Sequence, residues 1–296
     1  MSSSQITNST GKTAAGVKFP GMEAVAAKGW LRANKWLLLR RLSQSAILLI
    51  FLSGPLFDFW IIKGNMSSSL LFGELPLTDP FVFLQVIFST HLVETTLIVG
   101  ALIVTAFYFL VGGRVYCAWV CPINIVTDSA EWLRRKLNVK PSLNFPRYAR
   151  YGFLVSVFIA AYVTGILAWE LMNPVTMIQR ELVFGMGFSW MLVLLIFILD
   201  TFISRRAWCG HLCPMGAFYS LIGRISLMKV NAVNRNKCDD CMDCFAVCPE
   251  PQVIKPALKG EERTTPVILS GNCTNCGRCI DVCAKDVFTV SHKFKN

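Results

Sequence analysis

Eight of the twelve cysteines fall into two runs with the same spacing near the end of the chain. The first run, at 238–249, reads CDDCMDCFAVCP, and the second, at 273–283, reads CTNCGRCIDVC. Both follow C-x2-C-x2-C-x3-C, the spacing with which bacterial ferredoxins hold paired [4Fe–4S] clusters. Three cysteines two residues apart can wrap one face of such a cube. The chemistry that this pattern indicates is the transfer of single electrons.

The fourth cysteine of each run lies beyond the reach of its own cube and ligates the other one. We therefore predict one cluster held by Cys238, Cys241, Cys244 and Cys283, and a second held by Cys273, Cys276, Cys279 and Cys248. Zinc is the alternative for C-x2-C pairs, but a zinc site uses four ligands and not eight at a repeated spacing. The second run departs slightly from the pattern, because Ala284 stands where the first run has Pro249.

The remaining four cysteines form two copies of C-x3-C-P, at 117–122 and 209–214, each with an arginine three residues before it. Cysteines four apart on a helix share one face. Two facing motifs would offer four sulfurs, from Cys117, Cys121, Cys209 and Cys213. A third cluster or another metal is the prediction. Redox-active thiols and reduced thiols packed in a helix contact stay open as alternatives, and the prolines should end or kink each helix.

The elements that must position these cysteines are strongly apolar. Hydrophobic residues make up 54% of the chain and charged residues only 16%. The apolar residues gather in four blocks, each near the ~20 residues of a bilayer span, at 42–62, 81–111, 151–168 and 187–203. We predict four transmembrane helices, of which the second is tilted or extends beyond the lipid. Uninterrupted runs such as 97–111 argue against helices in a soluble core.

Basic residues predict the orientation of these spans. The loop between the second and third blocks holds six lysines and arginines between 134 and 150, whereas the loops after the first and third hold only Lys63 and Arg180. Basic loops stay on the cytoplasmic side, so both termini should be cytoplasmic. The net charge of +11 then reflects orientation and not nucleic-acid binding. Tryptophans should mark the outer interface at Trp60, Trp169 and Trp190, and the inner one at Trp119, Trp132 and Trp208.

The predicted fold class is an all-α membrane domain of four transmembrane helices, in which a two-helix unit is repeated, plus a small α+β ferredoxin-like domain of the bacterial two-cluster type. The predicted bounds are a partly disordered cytoplasmic segment at 1–36, the transmembrane domain at 37–228 and the cytoplasmic ferredoxin domain at 229–296.

This order of elements resembles the NapH family, the membrane-bound ferredoxin-type subunit of periplasmic nitrate reductase systems. The resemblance extends over about 28–293 and includes the strings WCGHLCP at 208–214 and CMDCFAVCPEP at 241–251. It implies a multi-pass protein of the bacterial inner membrane that oxidises membrane quinol, either menaquinol or ubiquinol. It also implies that electrons pass to a periplasmic iron–sulfur partner of the NapG type and on to the nitrate reductase chain.

A quinol site needs hydrogen-bonding or titratable side chains at the membrane interface, and His91 and Glu94 are the candidates. One helical turn apart, they would share a face of the second span, near its outer edge. A histidine takes a proton near neutral pH, and a carboxylate in apolar surroundings has a raised pKa. The alternative is that His91 simply faces the interface.

Two other functions stay open at this stage. The chain could be a redox-maintenance or assembly factor for a periplasmic metalloenzyme, or a membrane dock for a periplasmic ferredoxin. It has no C-x2-C-H haem motif and no phosphate-cradling glycine loop. We therefore expect an electron-transfer subunit with quinol-oxidising activity and without a nitrate-reducing site of its own.

Overall fold

The computed structural model describes residues 19–91, 94–139, 146–185, 187–259 and 265–294. The disorder expected near the N-terminus concerns 1–18, which lie outside the described residues. The described chain begins with two short helices, α1 (Met22–Lys28) and α2 (Trp30–Ala33). The long helix α3 (Lys35–Phe57) follows and ends at Asp58 in the left-handed region.

Among the described helices, only the stretch Lys35–Pro55 of α3 is long and apolar enough to cross a membrane by length and composition. The other apolar helices have between 10 and 17 residues. The structure therefore supplies one candidate span, and the predicted set of four stays a prediction.

A small antiparallel sheet follows α3, with the strands β1 (Ile62–Gly64), β2 (Ser68–Leu71) and β3 (Leu75–Thr78) in the order β1-β2-β3. The segment between the ferredoxin runs and the N-terminus is therefore not all-α as predicted. Leu75–Thr78 lies against the middle of a later helix at Gly100, where a Cβ atom would come within 2.8 Å of the Thr78 hydroxyl. The missing side chain at Gly100 lets the strand approach this closely.

The second apolar block is not one helix. It forms α4 (Pro80–Thr90) and α5 (Thr95–Val111), and α5 packs back against α4. The backbone of His91 has a φ of 55°, which ends α4 in a left-handed cap, and Ser89 and Thr90 bond their hydroxyls to the Val86 carbonyl as helix-ending residues often do. The prediction of one long span across 81–111 is wrong.

The apolar part of the chain contains the same order of helices twice, and each copy begins with a short helix. After α5 come a π-helical turn, Tyr116–Val120, and the amphipathic helix α6 (Ile123–Lys136). The second copy follows α7 (Ala149–Thr164) and consists of α8 (Pro174–Phe184), α9 (Ser189–Ile198), the π-helical turns Leu199–Ile203 and Trp208–Leu212, and α10 (Pro214–Ile225). The repeat thus includes a short helix, α4 or α8, that the predicted two-helix unit lacks.

Equivalent residues begin and fasten the short helices α4 and α8. Asp79 and Asn173 cap them through side-chain oxygens, each with proline in the first turn. Gln85 of α4 accepts a hydrogen bond from the backbone of Trp169, and Gln179 of α8 accepts one from Met66. Each glutamine therefore satisfies buried backbone in the segment that leads into the other short helix.

Trp169 does not lie at an outer interface as predicted. It is only 1% exposed, and its ring stacks on that of Trp208, with centroids 6.5 Å apart. Trp208 belongs to the second C-x3-C-P motif. The chain between α7 and α8 therefore turns back into the protein interior.

The C-terminal part is α+β, as predicted. Two antiparallel strands, β4 (Met228–Asn231) and β5 (Thr289–His292), pair along their length. Between them lie α11 (Asp243–Val247), α12 (Ile254–Lys259) and α13 (Arg278–Asp281), with short 3-10 turns at Arg235–Lys237 and Pro251–Val253. A separate apolar core, which includes Val230, Ile254 and Phe288, holds these elements together.

Candidate iron–sulfur centres and their surroundings

Four cysteines from both ferredoxin runs line one cavity of about 20 Å³, and they are Cys238, Cys241, Cys244 and Cys283. The loop that carries the first three is turned by Asp240 and Met242, whose φ angles are 60° and 63°. Cys241 is exposed and Cys244 is buried. This cavity therefore lies close to the protein surface.

The other four line a second cavity of about 20 Å³, and they are Cys248, Cys273, Cys276 and Cys279. Asn275 and Gly277 turn this loop through positive φ angles of 46° and 71°. Glycine is required at 277, because a Cβ atom there would lie 2.3 Å from the Trp36 ring. The structure thus groups the eight thiols as the sequence predicts, with the last cysteine of each run beside the other run.

The electrostatics of both cavities fit a cationic iron core. Burial raises the pKa of Cys244 to about 12 and that of Cys273 to about 11, so neutral thiols are favoured unless positive charge is bound nearby. Burial also acts on Cys276, but Arg278 and Arg40 outweigh it and bring its pKa below the ordinary value. Among the described residues no three Cys, His, Asp or Glu side chains could hold a single metal ion, whereas a four-iron cube spreads its ligands over its corners.

The two C-x3-C-P motifs face each other across a third cavity of similar size, about 30 Å³, lined by Cys117, Cys121, Cys209 and Cys213. Each motif lies on a π-helical turn: the Cys121 amide donates to the Tyr116 carbonyl (3.0 Å) and the Cys213 amide to that of Trp208 (2.9 Å). Such turns are frequent at functional sites. As predicted, the chain leaves each turn at the second cysteine, which is extended, and the prolines lead into α6 and α10.

Two residues connect the third cavity to the second. The Trp119 indole, inside the first C-x3-C-P motif, donates a hydrogen bond to the Asn275 carbonyl (3.2 Å). Arg114 donates to the carbonyls of Cys209 (3.4 Å) and Asn272 (3.0 Å). The first motif therefore touches the loop that carries Cys273 and Cys276, and Arg114 bridges the second motif to the start of that loop. The sequence singles out Arg114, because an arginine lies three residues before each motif. No sequence pattern indicates the contact that Trp119 makes.

Buried ion pairs hold the ferredoxin part against the ends of the apolar helices. Glu250, only 2% exposed, accepts from Arg114 (2.9 Å), Arg147 (2.8 Å) and Arg150 (2.8 Å). Burial would raise the pKa of Glu250, but these arginines hold it well below the ordinary range. The glutamate follows the first ferredoxin run directly, so these pairs fix the position of that run.

A second set of pairs lies on α6. Asp128 contacts Arg278 of α13 (2.6 Å), Arg206 (2.7 Å) and Arg41 (2.5 Å). Burial is again outweighed by the arginines, so the pKa of Asp128 stays well below its usual range. On the same side Asp281 accepts from the first backbone amides of α3, at Trp36 and Leu37.

His91 and Glu94 are not brought together as predicted. His91 ends α4, where its ring meets the edge of Tyr162 with centroids 5.5 Å apart, and Glu94 precedes α5. They therefore do not share one helix face, because the helix is broken between them. The 17 residues of α5, at ~1.5 Å each, put Glu94 about 25 Å from the other end of that helix, where Gly112 lies beside Asn275.

The paired four-cysteine cavities on a ferredoxin-type fold define an iron–sulfur electron-transfer protein. The family described as a 4Fe-4S binding domain matches the chain twice, at 93–140 and 186–232, and each match contains one C-x3-C-P motif. This confirms the internal repeat. The family described as a 4Fe-4S dicluster domain matches 237–287.

Curated relatives cover nearly the whole chain. Ferredoxin-type protein NapH of Haemophilus influenzae is 47% identical over 94% of this chain and 96% of its own length, and NapH of Escherichia coli is 47% identical over 93% and 96%. The chain therefore belongs to the NapH family of ferredoxin-type proteins. Methylamine utilization ferredoxin-type protein MauN of Paracoccus denitrificans is 53% identical over 92% and 95%. The sequence motifs predicted the NapH relation but not the MauN one. No solved structure matches the chain significantly.

Proposed function

We propose that this protein is a quinol-oxidising electron-transfer subunit that relays electrons through iron–sulfur centres towards a periplasmic redox enzyme. The observation that carries the proposal is the set of three four-cysteine cavities, of which the second and third are connected through the Trp119–Asn275 hydrogen bond. In it, Cys238, Cys241, Cys244 and Cys283 hold one [4Fe–4S] cluster, and Cys273, Cys276, Cys279 and Cys248 hold the other. These clusters supply one-electron transfer; the protein supplies thiols, insulation and alignment.

The proposal places the protein in the bacterial inner membrane with four crossings, by α3, α5, α7 and α9 with its π-helical extension, and with the ferredoxin domain in the cytoplasm. Large apolar side chains such as Leu102 (63% exposed), Val163 (74%) and Leu195 (50%) face outward on the last three helices. A soluble protein rarely exposes so many, and lipid would cover them. The short helices α4 and α8 would not cross.

The third cavity is proposed to hold a further centre between Cys117, Cys121, Cys209 and Cys213. Its size is like that of the two others, and the N-terminus of α8, at Asn173 and Val175, lies on its wall. The positive end of a helix dipole favours the negative charge of thiolates. Iron analysis tests this: with a third cluster, the protein should contain about twelve iron atoms, and Cys209→Ser with Cys213→Ser should contain about eight. A wild-type content of about eight would leave redox thiols instead.

Two respiratory systems are candidates for the electron acceptor. The resemblance to NapH points to nitrate reduction with a NapG-type iron–sulfur partner in the periplasm. The higher identity to MauN, 53% against 47%, favours a methylamine-utilization system instead. Expression in strains that lack either relative separates them: growth should be restored in one strain only.

The central test is reduction by quinol. Purified protein is mixed anaerobically with decylubiquinol or menadiol, and the reduced clusters are recorded by electron paramagnetic resonance. We expect signals of the same kind that dithionite produces in the same sample. If dithionite reduces the clusters and neither quinol does, the protein takes its electrons elsewhere, as a maintenance factor or a dock would.

A further inference from the structure

A cavity of about 540 Å³ lies where the beginning of α3, the helix α6 and the ferredoxin part meet. This volume is typical of small-molecule sites. Most of its wall surface is apolar, and Ala33, Leu37, Trp132, Val247 and Val282 contribute to it. Nine of the fourteen lining residues are nevertheless polar or charged, and five of these are arginines, Arg40, Arg41, Arg135, Arg206 and Arg278. A cavity with a mostly apolar wall surface and convergent polar groups is the usual form of an organic-ligand site.

One side chain separates this cavity from each ferredoxin-type cysteine set. Val282 lines both this cavity and the one with Cys238, Cys241, Cys244 and Cys283. Arg278 lines both this cavity and the one with Cys248, Cys273, Cys276 and Cys279. A ligand bound here would therefore contact the walls of both candidate cluster sites.

The cavity is also placed where a lipid-soluble molecule can enter. Leu37 and Arg41 belong to the first turns of Lys35–Pro55, the stretch long and apolar enough to cross a membrane. Trp132 on α6 is 56% exposed, and exposed tryptophan is enriched at the membrane interface. The mouth of the cavity therefore lies at the level where a membrane-borne ring could leave the lipid.

We propose that this cavity binds the head group of a membrane quinol, and that oxidation takes place here. The flat ring fits between Trp132 and the aliphatic walls, and the ring oxygens accept hydrogen bonds from Arg41 or Ser129. This deepens the proposed function and rests on it. On oxidation the quinol would lose two electrons and two protons. The cysteine sets on either side of the cavity would each hold a cluster that takes up one electron, and the protons would leave for water at the open mouth of the cavity. Arginines favour the anion left by the first proton.

The position of this cavity also brings a bound quinol close to the ferredoxin-type cysteines. His91 and Glu94 lie about 25 Å along α5 from the end that meets the second cysteine cavity. Quinol bound at those residues would be far from both ferredoxin-type sites, whereas in this cavity it would be one side chain away. The structure therefore favours the cytoplasmic side for quinol oxidation.

Binding can be tested separately from electron transfer. A photoreactive azidoquinone is cross-linked to the purified holoprotein, and the labelled peptides are mapped by mass spectrometry. Label is expected on α6 or on the first turns of α3, and it should be displaced by decylubiquinone. Label at 89–95 instead, near His91 and Glu94, would overturn the proposal.

A matched pair of substitutions blocks the cavity without touching the cysteines. Ser129→Trp places a large ring in the lining from an exposed position on α6, and Ser156→Trp places the same ring at an exposed position on α7. We expect Ser129→Trp to weaken azidoquinone labelling about tenfold or more, a difference of ~1.4 kcal/mol, and Ser156→Trp to leave it unchanged. Dithionite should still reduce the clusters in both variants.

The outcomes separate this inference from the proposed function. If quinol fails to reduce even the wild-type clusters, the proposed function itself is wrong. If quinol reduces wild type and Ser129→Trp equally fast, quinol is oxidised at another site and this inference is wrong. If phosphatidylglycerol vesicles displace the label and decylubiquinone does not, the cavity binds a lipid head group and the inference is also wrong.

Discussion

At the scale of single residues, the cysteine spacing predicts its own grouping because cluster ligation is local. A tight loop brings three thiols together whatever lies around it, and the fourth must come from the other run. The partners of these loops are different. Glu250 and Asp128 form ion pairs with arginines that are far from them in the sequence. No local sequence pattern indicates which arginine pairs with which carboxylate.

The crosswise grouping predicts a particular result for double substitutions. Cys283→Ala should remove about four iron atoms, and adding Cys241→Ala should remove no more, because both cysteines line one cavity. Adding Cys241→Ala to Cys248→Ala should instead remove about eight, since those cysteines line different cavities. Iron analysis of the purified variants tests this grouping. A loss of about eight iron atoms in the first double variant and about four in the second would show that each run holds its own cluster.

The ion pairs around Glu131 predict a pH dependence. This glutamate is 4% exposed and contacts Arg206 (2.8 Å), Arg205 (2.6 Å) and Arg135 (3.3 Å). Burial raises its pKa, but the arginines outweigh burial, so the pKa lies below 4.5. A depressed pKa means stability that is fully present above 4.5 and is lost as the pH falls towards the folded value.

We therefore expect Glu131→Gln to cost about 1–3 kcal/mol of unfolding free energy at neutral pH, because the buried Arg206 then keeps only Asp128 as an acidic partner and the half-buried Arg205 and Arg135 lose theirs. The loss should be constant from pH 6 to 8 and should shrink only below about pH 4.5. Thermal unfolding followed by tryptophan fluorescence measures it. Glu74→Gln, at an exposed glutamate in the turn after β2, is the control, and an equal loss in both variants would refute the role of burial.

At the scale of elements, the lengths of the apolar blocks predicted fewer interruptions between helices than the structure has. A largely apolar block of 31 residues, 81–111, gives no sign of whether one helix or two shorter ones in contact form, because both bury apolar side chains. The break at His91 depends on β3 and α4 filling the space beside α5, which is a tertiary matter. The burial of Trp169 could not be predicted for the same reason, because the sequence alone does not distinguish a buried tryptophan from one at the membrane interface.

The close packing of α10 on the ferredoxin part gives a sharp prediction. A Cβ atom at Gly271 would lie 2.0 Å from the Ser220 carbonyl oxygen and 2.9 Å from the Arg224 amide nitrogen, both backbone atoms that cannot turn away. Gly271→Ala should therefore cost at least about 1–3 kcal/mol and lower the midpoint of thermal unfolding.

Gly152 is the matched control, since it lies in α7 and nothing stands within 4 Å of its Cβ position. Gly152→Ala should be neutral or should stabilise by up to ~1 kcal/mol, as alanine does in a helix. Equal unfolding midpoints for the two variants would mean that α10 and Gly271 are not in the contact described.

At the scale of the whole molecule, the cavities form a sequence that begins at the proposed quinol cavity. The proposed quinol cavity adjoins both ferredoxin-type sites, Trp119 and Arg114 link the second of these to the C-x3-C-P cavity, and α8 starts at its wall. The 11 residues of α8 span about 16 Å. Electrons that reach the third cavity would thus have roughly one short helix left to travel towards the opposite face.

This path requires the two ends of the apolar part to lie on opposite sides of a membrane, and that can be measured. Phe188, before α9, is 84% exposed, and Leu137, after α6, is 53% exposed. We expect Phe188→Cys to react with a membrane-impermeant maleimide in intact cells with a permeable outer membrane, and Leu137→Cys to react only after the inner membrane is opened. Wild type, with its native cysteines, sets the background. Labelling of both variants from outside would place both loops in the periplasm and would contradict the proposed electron path. The basic loop after α6 would then be periplasmic and not cytoplasmic as expected.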